Sequence, residues 1–365
     1  MKKFRCAFKK VIIISAVLCS FLLQNPLKTF GSGESINSLS GECIVLYSPQ
    51  RQEVLYGKNI HQRKSIASTT KIMTAIAVIE AKDLNEVITI PKEACGIEGS
   101  SIYLVEGEQL TVFQLLQALM LQSANDAAVA LAIATDGSIE AFSHRMNSIA
   151  EELKLNNTHF VNPHGLDNPE HYSSAYDLAL ITARGLENPI FRQLINTKNS
   201  QIPGGNNTVR FLRNHNKLLN LCPEAIGVKT GFTKKSGRCL VGAAEKDQTT
   251  LVAVTLNAPD DWYDHKKLFS FGYSLLHHEI IVEKERLLFA LPISGSDKSE
   301  LIAANAERVF GVCRDTQNVK PTLEFNRPIF APIKRGEVLG RIYFYQNDIL
   351  IAESALIATE SANKD

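Results

Sequence analysis

Ile66-Ala67-Ser68-Thr69-Thr70-Lys71-Ile72-Met73-Thr74-Ala75-Ile76-Ala77-Val78-Ile79 opens on a small polar cluster and continues as an apolar run. The run is apolar nearly all round, so it predicts a helix buried on every side rather than one lying on a surface. Ser68 stands where that helix begins, and Lys71 follows it by three residues, on the same helical face. A lysine in the first turn of a buried helix is partly desolvated, which favours its neutral amine. A neutral amine beside a hydroxyl is what a lysine base needs to activate a serine nucleophile. The plain alternative is a capping serine with Lys71 in solvent. Ser-x-x-Lys alone cannot decide, because Ser361-Ala362-Asn363-Lys364 in the polar tail matches it as well.

Two further motifs follow in order. Ser123-Ala124-Asn125 interrupts a long apolar pattern running from Thr111 to Ala134. Polar residues inside such a pattern are costly without partners, so a turn presenting Ser123 and Asn125 to a cleft is expected. There Ser123 can relay a proton to a leaving amine and Asn125 can grip a substrate carbonyl; the competing reading is a helix connection with a capping serine. Lys229-Thr230-Gly231 lies in Gly227-Val228-Lys229-Thr230-Gly231-Phe232, which reads as an edge strand. Lys229 would hold a substrate carboxylate, Thr230 would donate a hydrogen bond, and Gly231 would let a substrate backbone approach. The competing reading there is a Thr-Gly turn with an exposed lysine. Acyl transfer also needs an oxyanion hole, for which the N–H groups of Ser68 and Phe232 are the candidates. Together the motifs predict a serine acyl-transfer site with a lysine base and no histidine.

Outward from these motifs, Cys43–Tyr47 and Glu53–Tyr56 read as a hairpin, and 238–244 with 250–256 as a second strand pair turning at Lys246-Asp247. The stretches 69–81, 111–134, 139–153 and 174–186 between them are helical in pattern. Strands at both ends with helices between predict an α/β (α+β) domain: one antiparallel sheet, closed by its terminal segments and covered by helices. From about residue 279 the texture changes to short strands at 280–282, 287–289, 322–325, 341–345 and 349–352, a small all-β domain. The expected organisation is a signal or anchor over 1–31, a linker over 32–40, a peptidase domain over 41–278, a β-rich domain over 279–358 and a polar tail over 359–365.

The chain has 365 residues, 45% of them hydrophobic, and its 39 basic against 38 acidic residues leave a net charge of +1. That balance carries no nucleic-acid footprint. Lys2, Lys3, Arg5, Lys9 and Lys10 precede the apolar run Val11–Leu23, which is too short to span a bilayer but suits an export signal. An extracytoplasmic protein follows, in the cell wall or on the outer face of the cytoplasmic membrane, with any membrane association through its N-terminus. Outside that segment five cysteines remain, Cys43, Cys95, Cys222, Cys239 and Cys313; their odd number and spacing suggest buried thiols rather than a disulfide framework or metal site. His159 and His164 have no third ligand nearby, so they read as loop-packing residues and no cofactor is expected.

Longer strings carry a family resemblance. Ile66–Thr74, Gly99-Ser100-Ser101 ahead of Leu115–Ala128, Thr158-His159-Phe160-Val161-Asn162-Pro163-His164-Gly165-Leu166-Asp167 and Gly227–Thr233 through Gly237-Arg238 resemble the penicillin-interacting serine enzymes. The nearer match is to low-molecular-weight D-alanyl-D-alanine carboxypeptidases. The resemblance runs from about Gly41 to Tyr273 and implies a β-lactamase/transpeptidase-like fold followed by a β-rich C-terminal domain. It also implies the reaction: Ser68 attacks the carbonyl between two terminal D-alanines of a peptidoglycan stem peptide, Lys71 takes its proton, and water resolves the acyl-enzyme. β-Lactams would trap Ser68. An arginine common in the family after the last sheet strand is missing from Pro259–His265, so Lys229, Thr230 or His215 would carry carboxylate recognition. A D,D-endopeptidase is one alternative. Another is a class A-like β-lactamase, since Glu152-Leu153-Lys154-Leu155-Asn156 matches the Glu-x-x-Leu-Asn pattern, though Glu152 reads as an exposed helix residue. A non-catalytic sensor of cell-wall peptide is the alternative of another kind.

Overall fold

The computed structural model describes residues 36, 38–205, 208–325 and 327–365; the N-terminal segment read as an export signal lies outside them. The chain separates into two compact units, Glu34–Ser274 and one comprising Leu275–Asp365.

In chain order the first unit contains β1 (Cys43–Ser48), β2 (Glu53–Lys58), α1 (Lys71–Ala81), β3 (Val87–Thr89), β4 (Gln109–Thr111), α2 (Val112–Leu121), α3 (Asn125–Asp136), α4 (Ile139–Glu152), α5 (Ala175–Leu186) and α6 (Pro189–Asn196). There follow β5 (Asn199–Gly204), β6 (Thr208–Arg213), the single turn α7 (Leu218–Leu221), β7 (Ala225–Thr233), β8 (Gly237–Lys246), β9 (Thr249–Leu256) and α8 (Asp261–Leu275). Its main sheet is antiparallel, in the order β2-β1-β9-β8-β7. The first two strands and the last three thus close one sheet, as the strand distribution predicts.

Every residue of β1 and of β9 is buried. Continuous apolar strands of this kind are covered on both faces. Gly272 of α8 supplies one cover: a Cβ there would lie 2.5 Å from the Leu251 side chain and 3.1 Å from Leu46. Glycine lets the helix settle this closely without displacing either leucine. On the α1 side, Ile72, Met73, Ala75, Ile76, Ala77 and Val78 join the core with Leu115, Leu116, Leu119, Ala128, Leu131, Phe142 and Leu178, so α1 is enclosed, as its apolar circumference requires.

The helix starts follow their local chemistry. Thr111 and Gln114 form a reciprocal capping box at α2, and Ser138, Ser174 and Asn188 accept backbone N–H groups at the starts of α4, α5 and α6. The long pattern 111–134 breaks into α2 and α3 at Ser123, whose φ is +59°.

The second unit is all-β. It contains β10 (His277–Val282), β11 (Leu288–Pro292), β12 (Glu300–Asn305), β13 (Val309–Cys313), β14 (Val319–Phe325), β15 (Val338–Gln346) and β16 (Ile349–Ala358). β10 pairs with β13, and the others form a sheet in the order β11-β12-β16-β15-β14. Asn347 and Asp348 both take positive φ between β15 and β16, the tight hairpin turn that these residue types favour. Leu301, Ile342, Phe344 and Leu356 lie at the centre of its core.

Candidate active site

Ser68 lies in a 3₁₀ turn, Ala67–Thr70, that leads directly into α1. Two side chains fold back on this turn: Thr69 Oγ1 donates to the Ile66 carbonyl at 2.6 Å and Thr70 Oγ1 to the Ala67 carbonyl at 2.9 Å. Ala67 takes φ +46°, a conformation that costs a non-glycine residue about 1 kcal/mol. Such strain persists only where the surroundings over-determine it. Here Gly165 presses from outside: a Cβ on it would stand 1.9 Å from the Ala67 oxygen. The serine left at the mouth of this turn is partly exposed, whereas Lys71 is fully buried.

Lys71 Nζ lies 2.6 Å from Asn125 Oδ1, 2.7 Å from the His164 carbonyl and 3.0 Å from Ser68 Oγ. The first two partners can only accept. A neutral amine gives them its two N–H bonds and turns its lone pair to the serine hydroxyl, the arrangement of a base. Burial is the main cause that holds the amine well below its ordinary pKa; repulsion from Lys229 adds to it, and attraction to Asp126 opposes it. Among the described residues, no carboxylate hydrogen-bonds to Lys71 to restore its charge.

Asn125 sits at the start of α3 with both ends of its amide engaged: Oδ1 accepts from Lys71 and Nδ2 donates to the Glu98 carbonyl at 2.5 Å. These partners fix which end is oxygen. Asn125 thus orients Lys71 through Oδ1, while the second N–H of Nδ2 is not used by the Glu98 bond. Ser123 is buried to 4% exposure in the turn that precedes it.

The adjoining Asp126 carboxylate, fully buried, accepts Ser101 Oγ at 2.6 Å and the N–H groups of Ile102 and Leu104. It ties the segment 98–104 to the floor of the site. Arg210 of β6 ties the same segment from the other side, donating to the carbonyls of Ile102 at 2.7 Å and Tyr103 at 3.0 Å and pairing with Glu108. Arg210→Met should cost about 3 kcal/mol by leaving Glu108 unpaired, and should speed amide hydrogen exchange over 102–108 with little change in α1. Uniform exchange across the unit would contradict that assignment.

β7 forms the opposite wall at the sheet edge. Lys229 is 1% exposed, and its ammonium finds the Thr230 carbonyl at 3.0 Å. Burial brings its pKa down to about 7. Gly231 also makes a close approach within the protein itself. A Cβ there would stand 3.0 Å from the Ile66 oxygen and 3.1 Å from Ser68 N. The glycine thus lets β7 close onto the nucleophile turn. Thr230 is partly exposed beside it, and the Phe232 ring is 66% exposed. His215 bonds to Gln122 Oε1 at 3.1 Å, and burial, with the charge of Lys229 behind it, lowers its pKa.

The structure therefore joins Ser68, Lys71 and Asn125 by direct hydrogen bonds, while Gly231 sets β7 against Ser68. The segment 161–171, which begins inside the family-like string Thr158–Asp167 but has no task assigned from it, wraps the nucleophile turn. Pro163 O accepts from Thr74 at 2.6 Å, His164 O accepts from Lys71, and Gly165 abuts Ala67. These contacts use main-chain atoms, which leave no residue-type signature apart from the glycine. Glu152, by contrast, is the last residue of α4 and exposed. Cys43, Cys222 and Cys239 are buried thiols with pKa values raised by burial.

The family model for D-alanyl-D-alanine carboxypeptidase matches residues 32–260, and the model for the penicillin-binding protein 5 C-terminal domain matches 281–364. The chain is 29% identical to D-alanyl-D-alanine carboxypeptidase DacF of Bacillus subtilis over 97% of its own length and 94% of the relative's. It is 34% identical to the D-alanyl-D-alanine carboxypeptidase of Streptomyces sp. strain K15, over 75% of this chain and 100% of that one. Penicillin-binding protein 5 of Haemophilus influenzae superposes with a TM-score of 0.70 at 26% identity, covering 91% of this chain and 100% of the other. With both units matched in order and the serine–lysine pair in place, the chain belongs to the D-alanyl-D-alanine carboxypeptidase family of low-molecular-weight penicillin-binding proteins.

Proposed function

We propose that this protein removes the terminal D-alanine from peptidoglycan stem peptides ending in D-Ala-D-Ala. The observation that carries the reading is the fully buried Lys71 amine 3.0 Å from Ser68 Oγ, held by two acceptor-only partners. In the first step the Lys71 lone pair takes the hydroxyl proton as Ser68 Oγ bonds to the penultimate D-alanine carbonyl. The N–H groups of Ser68 and Phe232 receive the oxyanion. Collapse breaks the C–N bond, and a proton reaches the leaving D-alanine nitrogen from Lys71 through Ser123. Water, deprotonated by the same amine, then frees Ser68. Lys229 and Thr230 hold the terminal carboxylate, and Asn125 keeps the Lys71 amine aimed at Ser68. β-Lactams, whose strained amide and carboxylate imitate this substrate, acylate the same serine.

The substrate lies outside the cytoplasm. The cationic N-terminus and the apolar run Val11–Leu23 serve as the export signal or as an anchor to the membrane's outer face, and the C-terminal β-rich unit acts as a separate module.

D-alanine release from a peptide ending in D-Ala-D-Ala tests the reading, with Ser68→Ala in parallel. Release by the wild type and none by the variant is the expected result. Penicillin labelling of Ser68 without release would redirect the reading to an endopeptidase or a sensor, and rapid penicillin turnover dependent on Glu152 would make the protein a β-lactamase.

A further inference from the structure

His171 stands outside every motif above, yet it is 3% exposed and joined to the nucleophile turn. Its Nδ1 accepts the Val161 N–H at 3.2 Å, so in the neutral ring the proton sits on Nε2. Nε2 lies 2.8 Å from Thr70 Oγ1. The threonine hydroxyl has one proton, and it points to the Ala67 carbonyl at 2.9 Å. The direction of the whole relay is thereby fixed: Val161 N–H to His171, His171 Nε2–H to Thr70, Thr70 O–H to Ala67. Its end point is the peptide that joins the left-handed Ala67 to Ser68. Phe160 supports the ring edge-to-face at 5.6 Å between centroids.

We propose that His171 is a positioning residue for the Ser68 nucleophile, acting through Thr70 to hold the Ala67 carbonyl and, with it, the strained turn that aims the serine hydroxyl at Lys71. The claim rests on Ser68 being the acylated residue. Three features make it more than core packing. The ring is a polar group in a buried place, where an apolar residue of similar size would pack as well. It contacts the turn through one hydrogen bond only, at the residue whose side chain closes back on Ala67. Burial, the main cause, with repulsion from His159 and Lys71 added and attraction to Asp167 opposing, brings its pKa down to about 4, so the donor–acceptor polarity of the relay stays fixed across the range in which a lysine base works. Gly165 blocks the Ala67 carbonyl from moving outward, so the relay and the glycine hold the same atom from two sides.

The test measures the rate constant for β-lactam acylation per titrated active site, alongside D-alanine release, in His171→Leu, His171→Gln and Thr70→Val. His171→Leu and Thr70→Val should each slow acylation by about 100-fold, as a misaimed nucleophile does, with KM nearly unchanged. His171→Gln, which can place an amide N–H near the Nε2 position, should recover to within about tenfold of wild type. Combining Thr70→Val with His171→Leu should cost no more than either alone, since both break one relay. Two results would overturn the proposal: a lowered melting temperature with an unchanged acylation rate per active site, or equal impairment of the Leu and Gln variants. Should His171→Leu fail to fold, Thr70→Val decides alone, because it removes one oxygen from a site of unchanged shape. A wild type that is acylated by penicillin without releasing D-alanine would sink the proposed reaction and leave the acylation test of His171 intact.

Discussion

Lys71→Arg is expected to slow acylation of Ser68 by about four orders of magnitude, the full range attributable to a positioned base. A guanidinium keeps its proton at any working pH, so it can occupy the place without doing the chemistry. In the wild type the same logic sets the pH dependence. The Lys71 pKa lies well below the usual lysine range, chiefly because the amine is buried. As pH falls through that lowered value the amine takes up a proton, loses its lone pair and stops accepting from Ser68, so acylation should decline on the acid side and level off above it. A wild-type rate that keeps climbing to the ordinary lysine range near 10.5 would show Lys71 to be charged at neutral pH and remove it as the base. Lys71→Met separates the two contributions of the side chain. It keeps most of the apolar stem, so α1 should hold while acylation is lost.

How much of this could be read from the chain alone varies with the kind of interaction involved. α1 was legible because an apolar circumference demands burial, and burial of Lys71 follows from that. The break at Ser123 was legible because polar residues interrupt a helical pattern. α8 was not: Asp261, Asp264 and His265 are buried within it, and they spoil the apolar stripe that marks a helix. Their reasons are tertiary, since the Asp264 carboxylate accepts Ser40 N and Oγ and Gly41 N from the far end of the unit. The β5–β6 hairpin was hidden by Pro203, Gly204 and Gly205, and β12 by its alanines, which have weak strand preference. At the site, Ser68, Lys71 and Asn125 announce themselves through side-chain chemistry. The carbonyls of Pro163 and His164 and the φ of Ala67 could not, because any residue has a carbonyl. The bond from Asn125 Oδ1 to Lys71 was hidden for a related reason: spacing shows that an amide is present and says nothing about the partners that orient it.

Lys229→Met should do two opposite things, losing activity and gaining stability. In the folded protein Lys229 has a pKa of about 7 because it is buried, against about 10.4 in an unfolded chain. As pH drops from 10.4 toward 7 the unfolded chain takes up a proton that the folded one does not, so stability falls across that window and levels off below 7. Methionine has similar length and no charge to bury. The variant should therefore melt about 5 °C higher at pH 7, and its stability should lose that dependence on pH between 7 and 10. Activity moves the other way. Without the ammonium the substrate's terminal carboxylate enters the cleft unpaired, and kcat/KM should fall about 100-fold or more. In the wild type, kcat/KM reports the free enzyme, so it should decline above pH 7 as Lys229 loses its proton, while the bound carboxylate holds that proton longer and keeps kcat level. The variant should lack this alkaline decline, and its acid limb should move to higher pH, because removing Lys229 removes a charge that disfavours the protonated form of Lys71. A variant with an unchanged alkaline limb would show that some other group binds the carboxylate, and His215, beside Gln122 on the same cleft, would be the residue to replace next.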